Sequence, residues 1–304
     1  LSNKNTASQK GLAEMFDASV GGTSVAMPFG GKYQETEMEG SVQTLPVLNA
    51  ENIETVSLAS WGFDAEISSQ NSMVGAANAV VESVVKIVAM GGKYQNIRLS
   101  FQEYFEKLGN QPEKWGKPLA SLLGAYDAQM NLELAAIGGK DSMSGSFQDI
   151  NVPPTLISFA CANGEKKHVI SPEFKKEGNK IYYFHHIPQQ NGLPDYDKLK
   201  QVFGFIYENI KLQKIVSVKT VKEGGVAVAL AKMSFGNKLG ADISVDESFL
   251  LKKNIGSLII ESSSDLGCDV LEFIGHVKER VSLVIHELDF RISDLLKVWK
   301  GTFE

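Results

Sequence analysis

The chain has 304 residues, a formal net charge of −6 and a pI near 5.5, with 43% hydrophobic and 22% charged residues. That is the balance of an ordinary globular protein with enough length for two cores. It contains no Lys/Arg run with interleaved aromatics and no apolar stretch near the roughly 20 residues of a membrane span, which argues against nucleic-acid and membrane partners.

The start, LSNKNTASQK, has neither an initiator methionine nor a signal-peptide core, so it reads as cut from a longer chain or processed. The two cysteines, far apart in sequence, make reduced, cytoplasmic thiols the expectation. A short strand is expected at Thr23–Met27, and Leu45–Ser60 reads as strand, turn, strand. From Asn71 a capped helix runs to the Gly91-Gly92 pair. Its valines and isoleucines lie nearly all round, which implies burial, and Glu82 and Lys86 share one face. A second helix is expected from Pro118 to about Leu134, with Leu119, Leu122, Leu123, Tyr126 and Met130 on its apolar side. A strand follows around Leu156–Ala162.

The charged stretch EKKHVISPEFKKEGNK marks a boundary. Residues 1–163 read as an N-terminal α+β subdomain and 164–304 as an α/β subdomain. In the second, strands are expected at Lys180–His186, Ile215–Val221, Ser257–Ser262 and Ser282–Glu287. Helices are expected at Tyr196–Leu212, Gly225–Phe235, Asp265–Ile274 and Ile292–Trp299. Cys161 and Cys268 form no CxxC pair, so metal and disulfide roles have little support. His185 and His186 are neighbours on a strand, where alternation sends them to opposite faces.

The chemistry concentrates in AAIGGKDSMSGSF, residues 135–147. Glycines allow close backbone approach, lysine suits phosphate, and aspartate can take Mg²⁺. The stretch reads either as a phosphate cradle or as a polar turn between helix and strand. A pyrophosphatase-type SGGxDS loop does not fit, since the preceding segment is helical and residue 137 is Ile. No GxxxxGK[ST] pattern occurs.

Taken in order, ASQKGLAEMFDASVG, PFGGKYQ, LPV before a strand, the long helix with Glu82, IRLSFQEYF, GGKDSMSGSF and EGGVAVALAKMSFG resemble the second half of large-type phosphoribosylformylglycinamidine synthase. The resemblance covers essentially the whole chain. It implies an α+β fold like aminoimidazole ribonucleotide synthetase, and an ATP- and Mg²⁺-dependent C–N ligase of purine biosynthesis that uses formylglycinamide ribonucleotide and glutamine. The partners implied are the first half of the core and a glutaminase domain of the same polypeptide. No catalytic histidine motif or glutaminase Cys/His set is found, so the fragment alone is expected to be inactive. The alternative is a non-catalytic half that completes the core and docks the glutaminase. A hydrogenase-maturation or selenophosphate relative is a more distant rival.

The resemblance also implies roles. Gly138 and Gly139 would give close backbone approach, Lys140 and Ser142 would meet phosphate or nucleotide oxygens, and Asp141 would orient Lys140 or hold Mg²⁺ through water. Some relatives keep an auxiliary Mg-nucleotide in this half. The matching positions are Asn49, Glu82, Lys86 and Thr220, with Lys222 at a serine position, and only Glu82 is an anionic ligand. The auxiliary nucleotide is therefore expected to be lost, with a Glu82–Lys86 pair in place of its metal. Gly224-Gly225, preceded by Glu223, reads as a packing feature. An exposed apolar face homologous to a dimer interface makes a homodimer of the fragment the expectation.

Overall fold

The computed structural model describes residues 1–16, 22–47 and 52–303. After helix α1 (Lys10–Glu14) come strands β1 (Ser24–Ala26), β2 (Phe29–Gly30), β3 (Thr36–Glu37), β4 (Ser41–Thr44) and β5 (Thr55–Gly62). Helices α2 (Ala65–Gln70) and α3 (Ser72–Ala89) lead to β6 (Arg98–Tyr104), α4 (Pro112–Leu132) and β7 (Ala136–Lys140). Two short strands, β8 (Ser146–Phe147) and β9 (Ile150–Asn151), precede the long β10 (Thr155–Glu165). The first sheet has the order β1-β4-β5-β10-β6-β7; its pairs are antiparallel except β6–β7, which leaves β7 as a parallel edge strand.

The second sheet is built from β11 (Lys180–Phe184), β12 (Ile215–Thr220), β13 (Gly240–Ile243), β14 (Leu258–Ser262), β15 (Glu272–Lys278), β16 (Ser282–Ile285) and β17 (Leu288–Arg291). Its order is β12-β14-β11-β15-β13-β16-β17. Helices α5 (Tyr196–Lys211), α6 (Gly225–Phe235), α7 (Glu247–Leu250) and α8 (Ile292–Lys300) complete the chain.

Helix α3 organises the molecule. Asn71 caps it, accepting from the Met73 and Val74 N–H groups at 3.1 Å, which satisfies two donors that no helical turn can reach. Every residue from Gly75 to Ala89 is buried. Its sides pack on β5 and β10, on α4 and α5, and on β12, so one apolar core runs from the first sheet to the second. Contrary to the expectation that no apolar stretch nears the length of a membrane span, α3, alone among the described helices, is long and apolar enough to cross one; the interior of the protein buries 83% of that stretch. The N-terminal segment lies with the second sheet. Trp299 is fully buried against Phe29 and Phe235, and its indole N–H donates to the Thr6 carbonyl at 2.8 Å.

Several expectations change. Helix α4 begins at Pro112, where a proline suits the first turn, and Pro118 lies inside it. Its large apolar side faces solvent, and its small residues Ser121, Gly124, Ala125 and Ala128 pack inward. Gly124 has to be small, because a Cβ there would stand 2.0 Å from the Met73 carbonyl oxygen. The helix expected at Asp265–Ile274 does not form. Gly267 turns through φ +54° and a Cys268–Leu271 turn follows, after which Glu272–Lys278 pairs as β15 between β11 and β13. Strands β6, β7, β13 and β17 were not anticipated as strands.

Candidate functional site

Two places gather chemistry. The larger is a cavity of about 960 Å³, lined by the N-terminal segment, β3 and the turn after it, the end of β5, α3, the loop after β12, and α6. Among the described residues six lysines and six carboxylates line it, so their formal charges balance.

At its α3 wall, Lys86 Nζ lies 2.7 Å from Glu82 Oε1, both side chains being buried. The ammonium also donates to the Trp61 carbonyl at 2.7 Å and sits 4.5 Å from the Trp61 ring centroid. The Phe63 N–H donates to the other Glu82 oxygen at 3.1 Å. Burial, reinforced by the Lys222 charge, pushes the Lys86 amine down to about 8 against the pull of Glu82. Lys222 itself is 3.9 Å from Glu82.

A second buried pair sits deeper. Lys219 Nζ is 2.9 Å from Glu39 Oε1, and Thr220 donates to the same carboxylate through its N–H (3.1 Å) and its hydroxyl (2.7 Å). Burial alone would raise the Glu39 carboxyl, but the charges of Lys219 and Lys222 and these hydrogen bonds outweigh it and hold it at about 2. Glu37 is lowered for the same reason, with Lys232 as its nearest cation. At the rim, Lys253 joins Asp64, Glu66 and Glu223.

Of the positions singled out from the sequence, Glu82, Lys86, Thr220 and Lys222 all line this cavity, while Asn49 lies outside the described residues. The alternation of acids in ETEMEG was the available signal for Glu37 and Glu39, which sequence reasoning missed. Neither carboxylate is free for a metal: Glu82 holds an ammonium, and Glu39 is saturated by Lys219 and Thr220. Among the described residues no group of three or more His, Cys, Asp or Glu could hold a metal ion. The donor set does not fit a divalent cation.

The second place is the GGKDS stretch. Gly138, Gly139 and Lys140 are not in a turn but in β7, pairing with Ser100, Phe101 and Gln102 of β6. Neither glycine has a positive φ. Gly139 is required by packing, since a Cβ would stand 2.7 Å from the Phe101 carbonyl oxygen, whereas a Cβ on Gly138 meets nothing within 4 Å. Lys140 and Asp141 are exposed. Ser142 is fixed locally: its carbonyl accepts from Phe105 at 2.8 Å and its hydroxyl lies 3.0 Å from that of Ser144.

Beside this strand is a pocket of about 290 Å³ lined by Phe101, Glu103, Leu122, Gly139, Lys140 and Asp141. Glu103, which sequence reasoning did not single out, is only 6% exposed, and its Oε1 finds no hydrogen-bond partner. Burial, with the Asp141 charge added, pushes its carboxyl up to about 7.

The adjacent histidines are structural. His185 lies between Tyr183 and Phe249, while the His186 ring uses both nitrogens, toward the Ile255 carbonyl (2.8 Å) and the Asp195 N–H (3.1 Å).

No family model matches the chain. A phosphoribosylformylglycinamidine synthase subunit PurL from Methanocaldococcus jannaschii is 24% identical over 240 residues, covering 69% of this chain and 31% of the relative. The subunit of that name from Pyrobaculum aerophilum is 24% identical over 267 residues, covering 81% of this chain and 35% of the relative. The chain thus spans about a third of the length of the curated relatives it matches. Among solved structures, T. maritima PurL complexed with ATP superposes with a TM-score of 0.70 at 13% identity, over 91% of this chain and 48% of that one. A chain of the HypE–HypF complex gives 0.59 at 15% identity, over 93% and 97%. The fold is that of the aminoimidazole-ribonucleotide-synthetase-like proteins.

Proposed function

We propose that this chain is the second half of the synthase core of a large-type phosphoribosylformylglycinamidine synthase, working in the cytoplasm as part of a longer polypeptide. The full enzyme would join formylglycinamide ribonucleotide to ammonia from a glutaminase domain, with ATP and Mg²⁺ activating the amide oxygen. The similarity to PurL subunits over most of the chain, on the same fold, is the observation that carries this reading. T. maritima PurL has been solved in complex with FGAR and with ATP, which supports those two classes of ligand. The division into residues 1–163 and 164–304 would follow the two sheets, with the N-terminal segment through Phe29 crossing over to pack on the second.

In this half the chain's own residues do limited work. Lys140 and Ser142, at the edge of the first sheet, would meet phosphate oxygens of a ligand held mainly by the other half, and Gly138 would admit it closely. Exposed Trp61 and Phe159, directly opposite one another across β5 and β10, would belong to the face covered by that half. The same face would pair two copies of the isolated fragment, and a monomeric mass at micromolar concentration would count against that.

The internally neutralised cavity supports a second, compatible reading in which this half is chiefly structural. There the auxiliary nucleotide is lost, with the Lys86 ammonium standing at the charge position of its metal. Calorimetric titration with Mg-ADP and Mg-ATP is expected to show no binding by the fragment; tight, Mg-dependent binding would overturn the loss. In the full-length enzyme, Lys140→Ala and Ser142→Ala are expected to lower kcat/KM, and unchanged kinetics in both would leave only the structural reading.

A further inference from the structure

We propose that the pocket between β6, β7 and α4 seats the basic side chain of a partner helix whose apolar face lies along α4. Two independent observations meet there. The first is the helix itself: Leu119, Leu123, Tyr126 and Met130 stand 4-3-4 apart along one stripe with Leu122 beside it, and each of the five is 49–60% exposed. The opposite face of α4 is already occupied, its small residues lying against α3. A helix apolar on both faces, with the bulkier one in water, has the surface of an interface rather than of a monomer.

The second is the pocket at the edge of that stripe, which Leu122 and Phe101 wall on the apolar side. Its charged groups are Glu103, Asp141 and Lys140, two carboxylates against one ammonium. The nearby Glu106 is already held by Lys114 and Lys117 and needs no further cation. Glu103 is nine-tenths buried with an oxygen that has no donor. What completes it is an N–H cation carried on an apolar stem, which is the chemistry of an arginine or lysine side chain. The occupant is therefore an amphipathic helix with leucine-like residues at i, i+3 and i+7 and one basic residue between them. The pocket shares Lys140 with the ligase reading, but the test reads Glu103 and Leu122, which that reading does not use, so the two fail separately.

The test uses a fluorescent amphipathic peptide of that pattern with one arginine, its Arg→Gln counterpart, and the chain as wild type, Glu103→Gln and Leu122→Glu. The arginine peptide is expected to bind the wild type about tenfold more tightly than the glutamine peptide does, a difference that Glu103→Gln removes and Leu122→Glu replaces with loss of both. Equal binding of the two peptides, or no effect of Glu103→Gln, would overturn the anchor. Failure of either peptide to bind would overturn the proposal. So would sedimentation showing that Leu122→Glu converts a dimer to a monomer, because α4 would then be covered by a second copy. ¹⁵N spectra of each variant establish that it is folded, and N-acetylarginine amide is expected to shift the Gly139 and Leu122 amides in the wild type only.

Discussion

The large cavity and the pocket beside β7 both bury carboxylates, but they resolve the cost differently. In the cavity Glu82 and Glu39 each have an ammonium within 2.9 Å and further N–H or O–H donors. In the pocket Glu103 has an oxygen with no donor and a like charge beside it. Burying a charge is tolerable when it is paired and hydrogen-bonded, and an unpaired one shifts its proton equilibrium instead. The contrast separates a polar interior that is complete from one that awaits a group from outside.

The strongest way to break this contrast is to strand a charge in the cavity. Lys219→Ala leaves Glu39 buried without its cation and is expected to lower stability by about 3–5 kcal/mol, read from the denaturant midpoint. Lys219→Met combined with Glu39→Gln keeps an acceptor for Thr220 and is expected to recover more than half of that loss. A loss below 1 kcal/mol in the single variant would mean that the pair is solvated and the cavity open.

Next comes the wall of the small pocket. Gly139→Ala drives a methyl against the Phe101 carbonyl and is expected to cost about 1–3 kcal/mol, whereas Gly138→Ala, facing open space, stays within about 0.5 kcal/mol. Equal costs would show that β7 does not hold this register.

The two regions also carry opposite pH signatures. The Glu103 carboxyl, raised from 4.5 to about 7, keeps its proton in the folded chain where the unfolded chain has released it, so its contribution to stability falls as pH rises from 4.5 to 7. Glu103→Gln removes that fall. It is expected to be more stable than the wild type by about 1–2 kcal/mol at pH 8 and equal at pH 4, after allowance for solvent screening at a pocket rim. Glu39, lowered to about 2, does the reverse: its contribution is complete above 4.5 and is lost as pH falls toward 2. A Glu103→Gln variant no more stable at pH 8 would mean that the wild-type carboxyl is not held protonated.

Local rules made much of the frame legible. The cap at Asn71, the near-continuous apolar run after it and the glycine pair at its end specify α3, and the i,i+4 spacing places Glu82 beside Lys86. What local rules miss is decided by distant neighbours. Glu39 acquires its role from Thr220, 181 residues away. The GGKDS stretch reads as a turn from its glycines, yet pairing with β6 draws it into an edge strand. In α4 the apolar stripe was legible but its direction was not, since which face turns inward depends on Gly124 meeting α3 at close range. The Asp265–Ile274 segment has helical composition, and only competition from β11 and β13 for its backbone groups makes its end a strand.

The lysines of the cavity also limit how its chemistry can be changed. Building a metal site there would require removing Lys86 and supplying new ligands, and removal of that ammonium alone leaves Glu82 beside Trp61 with its nearest cation gone. Taking Lys219 away first strands Glu39 instead. Removing either ammonium alone strands a buried carboxylate, so the charged lining works as a latch: its pairs can be exchanged together but not one partner at a time.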